Sequence, residues 1–229
     1  MRIDNIKDVF FDLDHTLWDF DKNSKITFET IFAQSHPEVN IDSFISHYIP
    51  INQECWKLYQ YDKITHDQLR YDRLKLSFDA MAYEISDDEI DVISNQYIDL
   101  LTDNNHLFEG TLEILDYLSQ KYKLHVITNG FAHVQVKKLN NANLSTYFST
   151  VTNSEMAGVK KPNPIIFEFA LDLAKAKKET SVMIGDSIEA DVLGALDAGI
   201  DAIYFNESKQ DVDNTIKQIS HLLELKNYL

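Results

Sequence analysis

The sequence predicts an α/β fold: a doubly wound, mainly parallel, five-stranded Rossmann-like sheet interrupted by an inserted helical domain. Three observations lead there. Five short stretches, at residues 8–12, 123–128, 148–152, 181–185 and 201–205, read as strands, and most are continuous apolar runs without clean alternation, as expected of strands buried on both faces of a parallel sheet. Helical patterns separate the last four runs, and strands alternating with helices build doubly wound sheets. The rhythm breaks once, because after Asp12 no credible strand follows for more than 100 residues.

Each helix has its own signal. Leu112, Ile114, Leu115 and Leu118 recur at helical spacing, as do Ile166, Phe167, Ala170, Leu171 and Ala174. Val192, Ala195, Leu196 and Ala198 continue the theme up to Gly199, which is placed to end that helix. Inside the long interval, Thr65 with Gln68 and Ser86 with Glu89 have the spacing of capping boxes. Ile90, Ile93, Tyr97 and Leu100 mark one apolar face; Leu69, Leu74, Leu76, Phe78 and Met81 mark another. Pro50 reads as starting or kinking a helix. The expected organisation is a discontinuous α/β core, residues 1–16 and 104–229, with a helical insertion over 17–103. Six glycines and no internal repeat argue against long flexible linkers.

Composition narrows the function. The 229 residues are 44% hydrophobic, enough for a substantial core at roughly 100–200 residues per domain. With 21 basic against 37 acidic residues the formal charge is −16, which disfavours nucleic-acid polymers and anionic membranes. A small anion remains possible where a metal or a few cations reverse the field. Cys55 is the single cysteine, so neither an internal disulfide nor a cysteine-held zinc is expected. No apolar run approaches the roughly 20 residues that cross a bilayer, and residues 1–7 lack the pattern of a secretion signal. A cytoplasmic setting is the expectation.

The chemistry-bearing residues sit at strand ends. Asp12, Asp14 and Thr16 follow Val9-Phe10-Phe11, which places Asp12 at the carboxyl edge of the sheet, where open α/β folds bind ligands. Alone, this stretch is equally a turn. Thr128-Asn129-Gly130 follows Val126-Ile127 and alone reads as a cap or turn. Lys160 and Lys161 precede Pro162 and a helix; alone they read as a solvated pair. Gly185-Asp186-Ser187 ends Val182-Met183-Ile184, with Asp191 just over a helical turn further, and Asp186 alone is an N-cap. Together they gather carboxylates, a hydroxyl and an ammonium group at the ends of several parallel strands. Independent caps do not produce that order.

The ordered set resembles the haloacid dehalogenase-like hydrolases, most of them magnesium-dependent phosphatases, over essentially the whole chain. Phe11-Asp12-Leu13-Asp14-His15-Thr16-Leu17 looks like the first family motif, Thr128 the second, Lys161 before Pro162 the third, and Gly185-Asp186 with Asp191 the fourth. The insertion between the first two motifs is similar to the family's helical C1-type cap. About 30 residues separate Thr128 from Lys161, too few for the alternative α/β cap. Ile51-Asn52-Gln53-Glu54-Cys55-Trp56, the stretch from Tyr59 to Thr65, Thr128-Asn129-Gly130-Phe131 and Lys161-Pro162-Asn163 resemble the bacterial pyrimidine 5′-nucleotidase subgroup. Where that subgroup has a glycine near the middle of the cap, this chain has Asp62.

The resemblance implies a phosphatase that works through an aspartyl phosphate, with Mg²⁺ as cofactor. It assigns Asp12 as nucleophile and Asp14 as general acid and base. Asp12, Asp186 and the backbone carbonyl of Asp14 would hold Mg²⁺. Lys161, Thr128 and backbone N–H groups around Asn129 and Gly130 would hold the phosphate. Thr16 would brace the loop, and Asp191 would orient a water or Lys161. Such neutralisation is needed: two unit negative charges about 4 Å apart repel by roughly 4 kcal/mol at an effective dielectric of 20. Lys160 is read as solvated, and His15 and Trp18 as lining the mouth of the site or packing. Trp56, Tyr59, Arg70 and Arg73 are candidates for base or ribose contacts, set against core packing for the aromatics and a solvated face for the arginines. The implied ligand is a small phosphorylated metabolite, a nucleoside monophosphate. Rival readings are a phosphatase of small phosphosugars or phosphoglycolate, a phosphosugar mutase, and a receiver-like phosphorylation switch. The dehalogenases of the family lack the second aspartate, so Asp14 disfavours that activity.

Overall fold

The computed structural model describes residues 3–229. In chain order the elements are β1 (Asp8–Phe11), α1 (Phe20–Ser35), α2 (Ile41–Gln60), α3 (His66–Ala80), α4 (Asp87–Leu101) and α5 (Thr111–Ser119). There follow β2 (Lys123–Thr128), α6 (Ala132–Asn141), β3 (Phe148–Asn153), α7 (Ser154–Ala157), α8 (Pro164–Ala174) and β4 (Ser181–Gly185). The chain closes with α9 (Gly194–Asp197), β5 (Asp201–Phe205) and β6 (Gln218–Ile219). Two compact units result: one runs to Asp19 and resumes at Asn105, the other is Phe20–Asn104. The second unit starts three residues after the expected 17 and ends one residue after the expected 103.

In the first unit a parallel sheet has the order β3-β2-β1-β4-β5-β6. The expected five strands are all present, and β6 corrects the count to six. This edge strand has two residues and lies in a polar stretch, so it leaves no apolar run in the sequence. The sheet is doubly wound: β1, β2 and β3 step one way, then the chain crosses back to β4 on the other side of β1. The carboxyl ends of β1 and β4 therefore flank the switch point where such sheets bind ligands. Register aligns Phe11 with both Val126 and Ile184. Beneath lies a core of Phe10, Ile127, Met183, Ile166, Phe167, Ala170, Val192 and Ile200. Burial of each large apolar side chain contributes about 1.5–3 kcal/mol.

One expected element is built differently. The pattern Val192 to Ala198 reads as a single helix, yet residues 188–193 form a π-turn that continues into α9. Val192 N–H reaches back to the Ser187 carbonyl at 3.1 Å, an i→i+5 bond. Gly199 ends α9 at φ 81, as its position predicts.

The second unit comprises α1 to α4. Its centre is aromatic: Phe28 stacks on Tyr97 at 4.6 Å, and Phe44 meets Phe28 and Phe32 at 4.9 Å each. Both capping boxes form, Thr65 with Gln68 and Ser86 with Glu89. Pro50 lies inside α2 and does not start it. Two expected core positions are corrected. Leu76 is 48% exposed, because α3 buries the stripe Leu69, Arg73, Ser77 with Leu74 and Phe78, on the opposite side. On α4, Leu101 is buried where Leu100 was expected.

Asp62 and Ala82 occupy equivalent places, one residue past the C-caps of α2 and α3, at φ 54 and 51. Each ends its helix with the equivalent bond, Lys63 N–H to Leu58 O at 2.9 Å in α2 and Tyr83 N–H to Phe78 O at 3.0 Å in α3. This left-handed position is where glycine is favoured, and Asp tolerates it better than Ala does. The turn at Asp62 thus keeps the shape a glycine would give it. Ala82→Gly is expected to raise unfolding stability by about 0.5–1 kcal/mol, and Asp62→Gly by less. Urea titration reads both as a shifted midpoint at constant slope.

Candidate active site

The site grows from the carboxyl ends of β1, β2 and β4. Asp12 N–H donates to the Ile184 carbonyl at 2.9 Å, so the nucleophile candidate leaves β1 beside Gly185 and Asp186. Lys161 Nζ donates to Asp12 Oδ1 at 2.6 Å, to Asp191 Oδ1 at 2.5 Å and to the Ile127 carbonyl at 2.8 Å. All three ammonium protons are therefore engaged. Asp191 also accepts from Ser187 N–H at 3.0 Å, and Thr16 Oγ1 donates to Asp186 Oδ1 at 3.2 Å across 170 residues of chain.

Gly185 makes the cluster possible. A Cβ there would lie 2.2 Å from Asp191 Oδ2, so only the missing side chain allows Asp191 to fold back over the strand end. The π-turn supplies the matching backbone path, a use such turns commonly have at functional sites.

One carboxylate oxygen from each of Asp12, Asp186 and Asp191 falls within 4.8 Å of the others. Three ionised carboxylates against one ammonium group leave two uncompensated negative charges in a buried place. One divalent cation cancels them, and an all-oxygen donor set suits a hard cation. The donor set therefore fits the metal that the family implies. Its imbalance is visible in the titration of the groups. Burial, with repulsion from Asp191 and Asp186, drives the Asp12 carboxyl well above the usual range despite Lys161. Burial and Asp191 push Asp186 up to about 8. For Lys161, burial works against the charge, but Asp12 and Asp191 outweigh it and hold the ammonium above its ordinary value.

The other expected residues fall into place unequally. Thr128 Oγ1 accepts from Gly130 N–H at 3.1 Å, which leaves the hydroxyl proton to donate but occupies the Gly130 amide. The Asn129 side chain is turned to the Lys161 backbone, accepting its N–H at 2.7 Å and donating to its carbonyl at 3.0 Å. It sets the lysine's position, and its side chain is not the phosphate donor its place in the motif suggests. Lys160 is half-buried instead of solvated, His15 is half-buried, and Trp18 is fully buried.

In the helical unit Trp56 and Tyr59 meet edge to face at 5.7 Å. Arg70 donates to Ser94 at 3.3 Å and Asn95 at 2.8 Å. Arg73 corrects the expectation of a solvated face: it is 2% exposed, with Nη1 3.4 Å from Asn52 Oδ1 and its guanidinium 4.9 Å from the Tyr97 ring centre. Its spacing from Leu69 and Ser77 puts it on the buried stripe.

Two residues at the site are absent from the motif-based reading. Asp14 Oδ2 accepts from Gln135 Nε2 at 2.8 Å, and Asp14 Oδ1 accepts from Lys138 Nζ at 2.5 Å. Both donors belong to α6. The signal was a helix starting straight after the Thr128 turn, whose Gln135 and Lys138 lie on the side of buried Val134 and Leu139.

The model of the haloacid dehalogenase-like hydrolase family matches residues 6–199. The chain belongs to that family. It is 31% identical to the pyrimidine 5′-nucleotidase PynA of Streptococcus pneumoniae over 202 residues, 87% of this chain and 84% of that one. It is 30% identical to the glyceraldehyde 3-phosphate phosphatase of Methanothermobacter thermautotrophicus over 216 residues, 91% and 89% of the two chains. The crystal structure of the magnesium-bound hydrolase YfnB of Bacillus subtilis superposes with a TM-score of 0.87 at 25% identity, covering 97% of this chain and 98% of that one. The protein is thus a hydrolase of this family, and its relatives include phosphoric monoester hydrolases. No helix among the described residues is long and apolar enough to cross a membrane.

The close approach at Gly185 is open to test. Gly185→Ala must push Asp191 off the strand end, and overpacking of this kind costs about 1–3 kcal/mol. Urea denaturation checks it; an unshifted midpoint contradicts the steric argument.

Proposed function

We propose that the protein is a Mg²⁺-dependent phosphatase that cleaves phosphate monoesters through an aspartyl phosphate on Asp12, with pyrimidine nucleoside monophosphates as preferred substrates. The observation that carries this reading is the buried cluster of Asp12, Lys161, Asp186 and Asp191 with its two uncompensated negative charges. Asp12, Asp186 and the Asp14 carbonyl would hold the cation, which supplies charge neutralisation for an incoming phosphate dianion.

The chain's own residues do the rest. Asp12 forms a bond to phosphorus while the ester P–O bond breaks, and Asp14 passes a proton to the departing alkoxide. A water then attacks the phosphorus, gives its proton to Asp14, and restores Asp12 with release of phosphate. Lys161 holds Asp12 aligned and offsets its charge through both steps. The Thr128 hydroxyl and the Asn129 backbone N–H are assigned to the phosphate oxygens, the Gly130 N–H being taken by Thr128 Oγ1. Thr16 steadies Asp186, and Asp191 with Asn129 steadies Lys161. The helical unit is read as the family's C1-type cap.

The nucleotide preference is supported by the similarity to PynA and by the Tyr59–Thr65 segment. Similarity to a glyceraldehyde 3-phosphate phosphatase at nearly the same identity favours a small phosphosugar as the second reading. A panel of UMP, dUMP, dTMP, glyceraldehyde 3-phosphate and phosphoglycolate at matched Mg²⁺ decides between them. The expected outcome is free phosphate as product, highest kcat/KM for the pyrimidine nucleotides, and loss of turnover in EDTA. Asp12→Asn is expected to lose at least about 10³-fold in kcat. Metal-independent turnover, or an active Asp12→Asn, refutes the mechanism; faster turnover of the phosphosugars refutes only the substrate.

A second expectation concerns the cation without catalysis. With Asp186 raised to about 8, the metal-free site retains protons at pH 7 that a bound cation must expel. Calorimetry with MgCl₂ in buffers of different ionisation enthalpy is expected to show net proton release, and affinity rising with pH towards about 8. Binding without proton release contradicts the assignment.

A further inference from the structure

We propose that Gln135 and Lys138 are positioning residues for proton transfer, holding the Asp14 carboxylate by both oxygens in a single rotamer. The inference rests on the acid–base role given to Asp14 above and adds the device that sets its geometry.

Three segments build this clamp. Gln135 and Lys138 stand three apart on α6 and so share a face. Their donors take one oxygen each of Asp14, at 2.8 and 2.5 Å. The loop after Asp14 closes the other side. His15 adopts φ 61 and donates its N–H to the Trp18 carbonyl at 2.9 Å, which returns Trp18 beside Asp14. The Lys138 ammonium then lies 4.1 Å from the Trp18 ring centre, within cation–π range. The third segment is the Thr128 turn. A Cβ on Gly130 would fall 1.7 Å from Gln135 Nε2, so the glycine makes room for the amide.

The polarity of this face is not explained by packing. Gln135 and Lys138 are 2% and 1% exposed, among the apolar neighbours Val134 and Leu139. Leucine or methionine would close the same helix face without burying an ammonium group, which is costly unless paired. The Gln135 carbonyl has no hydrogen-bond partner among the described residues, so the amide is oriented for its one bond to Asp14. Each carboxylate oxygen has two lone-pair sites. The clamp occupies one site on each oxygen and leaves the others to carry a proton to the leaving group or from water. A misplacement of about 1 Å at such a group can cost around 10²-fold in rate, which is the reason for fixing the rotamer.

The test exploits leaving groups. An alkoxide needs a proton as it departs, whereas p-nitrophenolate does not, and kcat/KM reports the steps through that departure. The best alkyl phosphate of the substrate panel is compared with p-nitrophenyl phosphate in Lys138→Met and Gln135→Leu. Lys138→Met is expected to lower kcat/KM for the alkyl ester by about 30-fold or more, and to change the ratio between the two esters by at least about tenfold. Gln135→Leu keeps the ion pair and is expected to shift the ratio in the same direction by less; it carries the test should Lys138→Met not fold. In an Asp14→Asn background, Lys138→Met is expected to cost nothing further. Equal losses on both esters, or an undiminished loss in the Asp14→Asn background, overturn the clamp. If Asp14→Asn alone treats both esters alike, the acid–base reading of Asp14 is what fails, and the inference falls with it.

Discussion

The three hydrogen bonds of the Lys161 ammonium organise the rest of the site. They tie the end of β1, through Asp12, to the carbonyl before Thr128 on β2 and to Asp191 beyond β4. One cation thus joins three chain segments far apart in sequence. It does so without balancing their charge, and that is the functional point. A buried cluster that was neutral in itself would have no need of a metal. One left with two negative charges holds protons or binds a divalent ion, and the raised Asp12 and Asp186 carboxyls express that choice.

Backbone geometry makes the cluster reachable. Gly185 admits Asp191 because it has no Cβ, Gly130 admits Gln135 for the same reason, and the π-turn after Ser187 brings Asp191 back towards β4. In each case a local departure from regular structure is coupled to the placement of one polar side chain. The helices of the second unit show the opposite behaviour: the capping boxes and the left-handed residues Asp62 and Ala82 only define where helices start and stop.

The sequence made some of this readable and hid the rest for physical reasons. Strands β1, β2, β4 and β5 were legible because burial on both faces leaves continuous apolar runs, whereas the edge strand β3 keeps a polar, half-exposed sequence and was marked only by its β-branched residues. Asp12, Thr128 and Asp186 were legible because they stand at the ends of such runs, and Lys161 and Asp191 because they complete the ordered set. Strand β6 was not, being a two-residue edge. The π-turn was not, since Val192 and Ala195 satisfy a 3.6-residue period almost as well as a wider one. Leu76 misled because apolar identity says nothing of which side of α3 faces inward. Arg73 misled the other way, as a charged residue on a buried stripe. Lys138 and Gln135 escaped because a lysine and a glutamine on a helix look like a solvated face; only the fold shows that this face meets Asp14.

Asp12 and Asp14 stand two residues apart and face different lysines, and this separation suits the two roles proposed for them. Asp12 shares Lys161 with Asp191 and takes part in the unbalanced cluster, whose charge changes when a cation binds. Asp14 is paired with Lys138, an ion pair of its own, beside Trp18. A carboxylate that attacks phosphorus must respond to the charge arriving beside it. One that relays protons must keep its orientation while that charge arrives and leaves. Had both drawn on a single lysine, each phosphate bound or released would have pulled on the proton relay through their common partner. With a lysine from the α8 approach serving one carboxylate and a lysine from α6 serving the other, the two roles proposed for Asp12 and Asp14 are mechanically separated within a span of three residues.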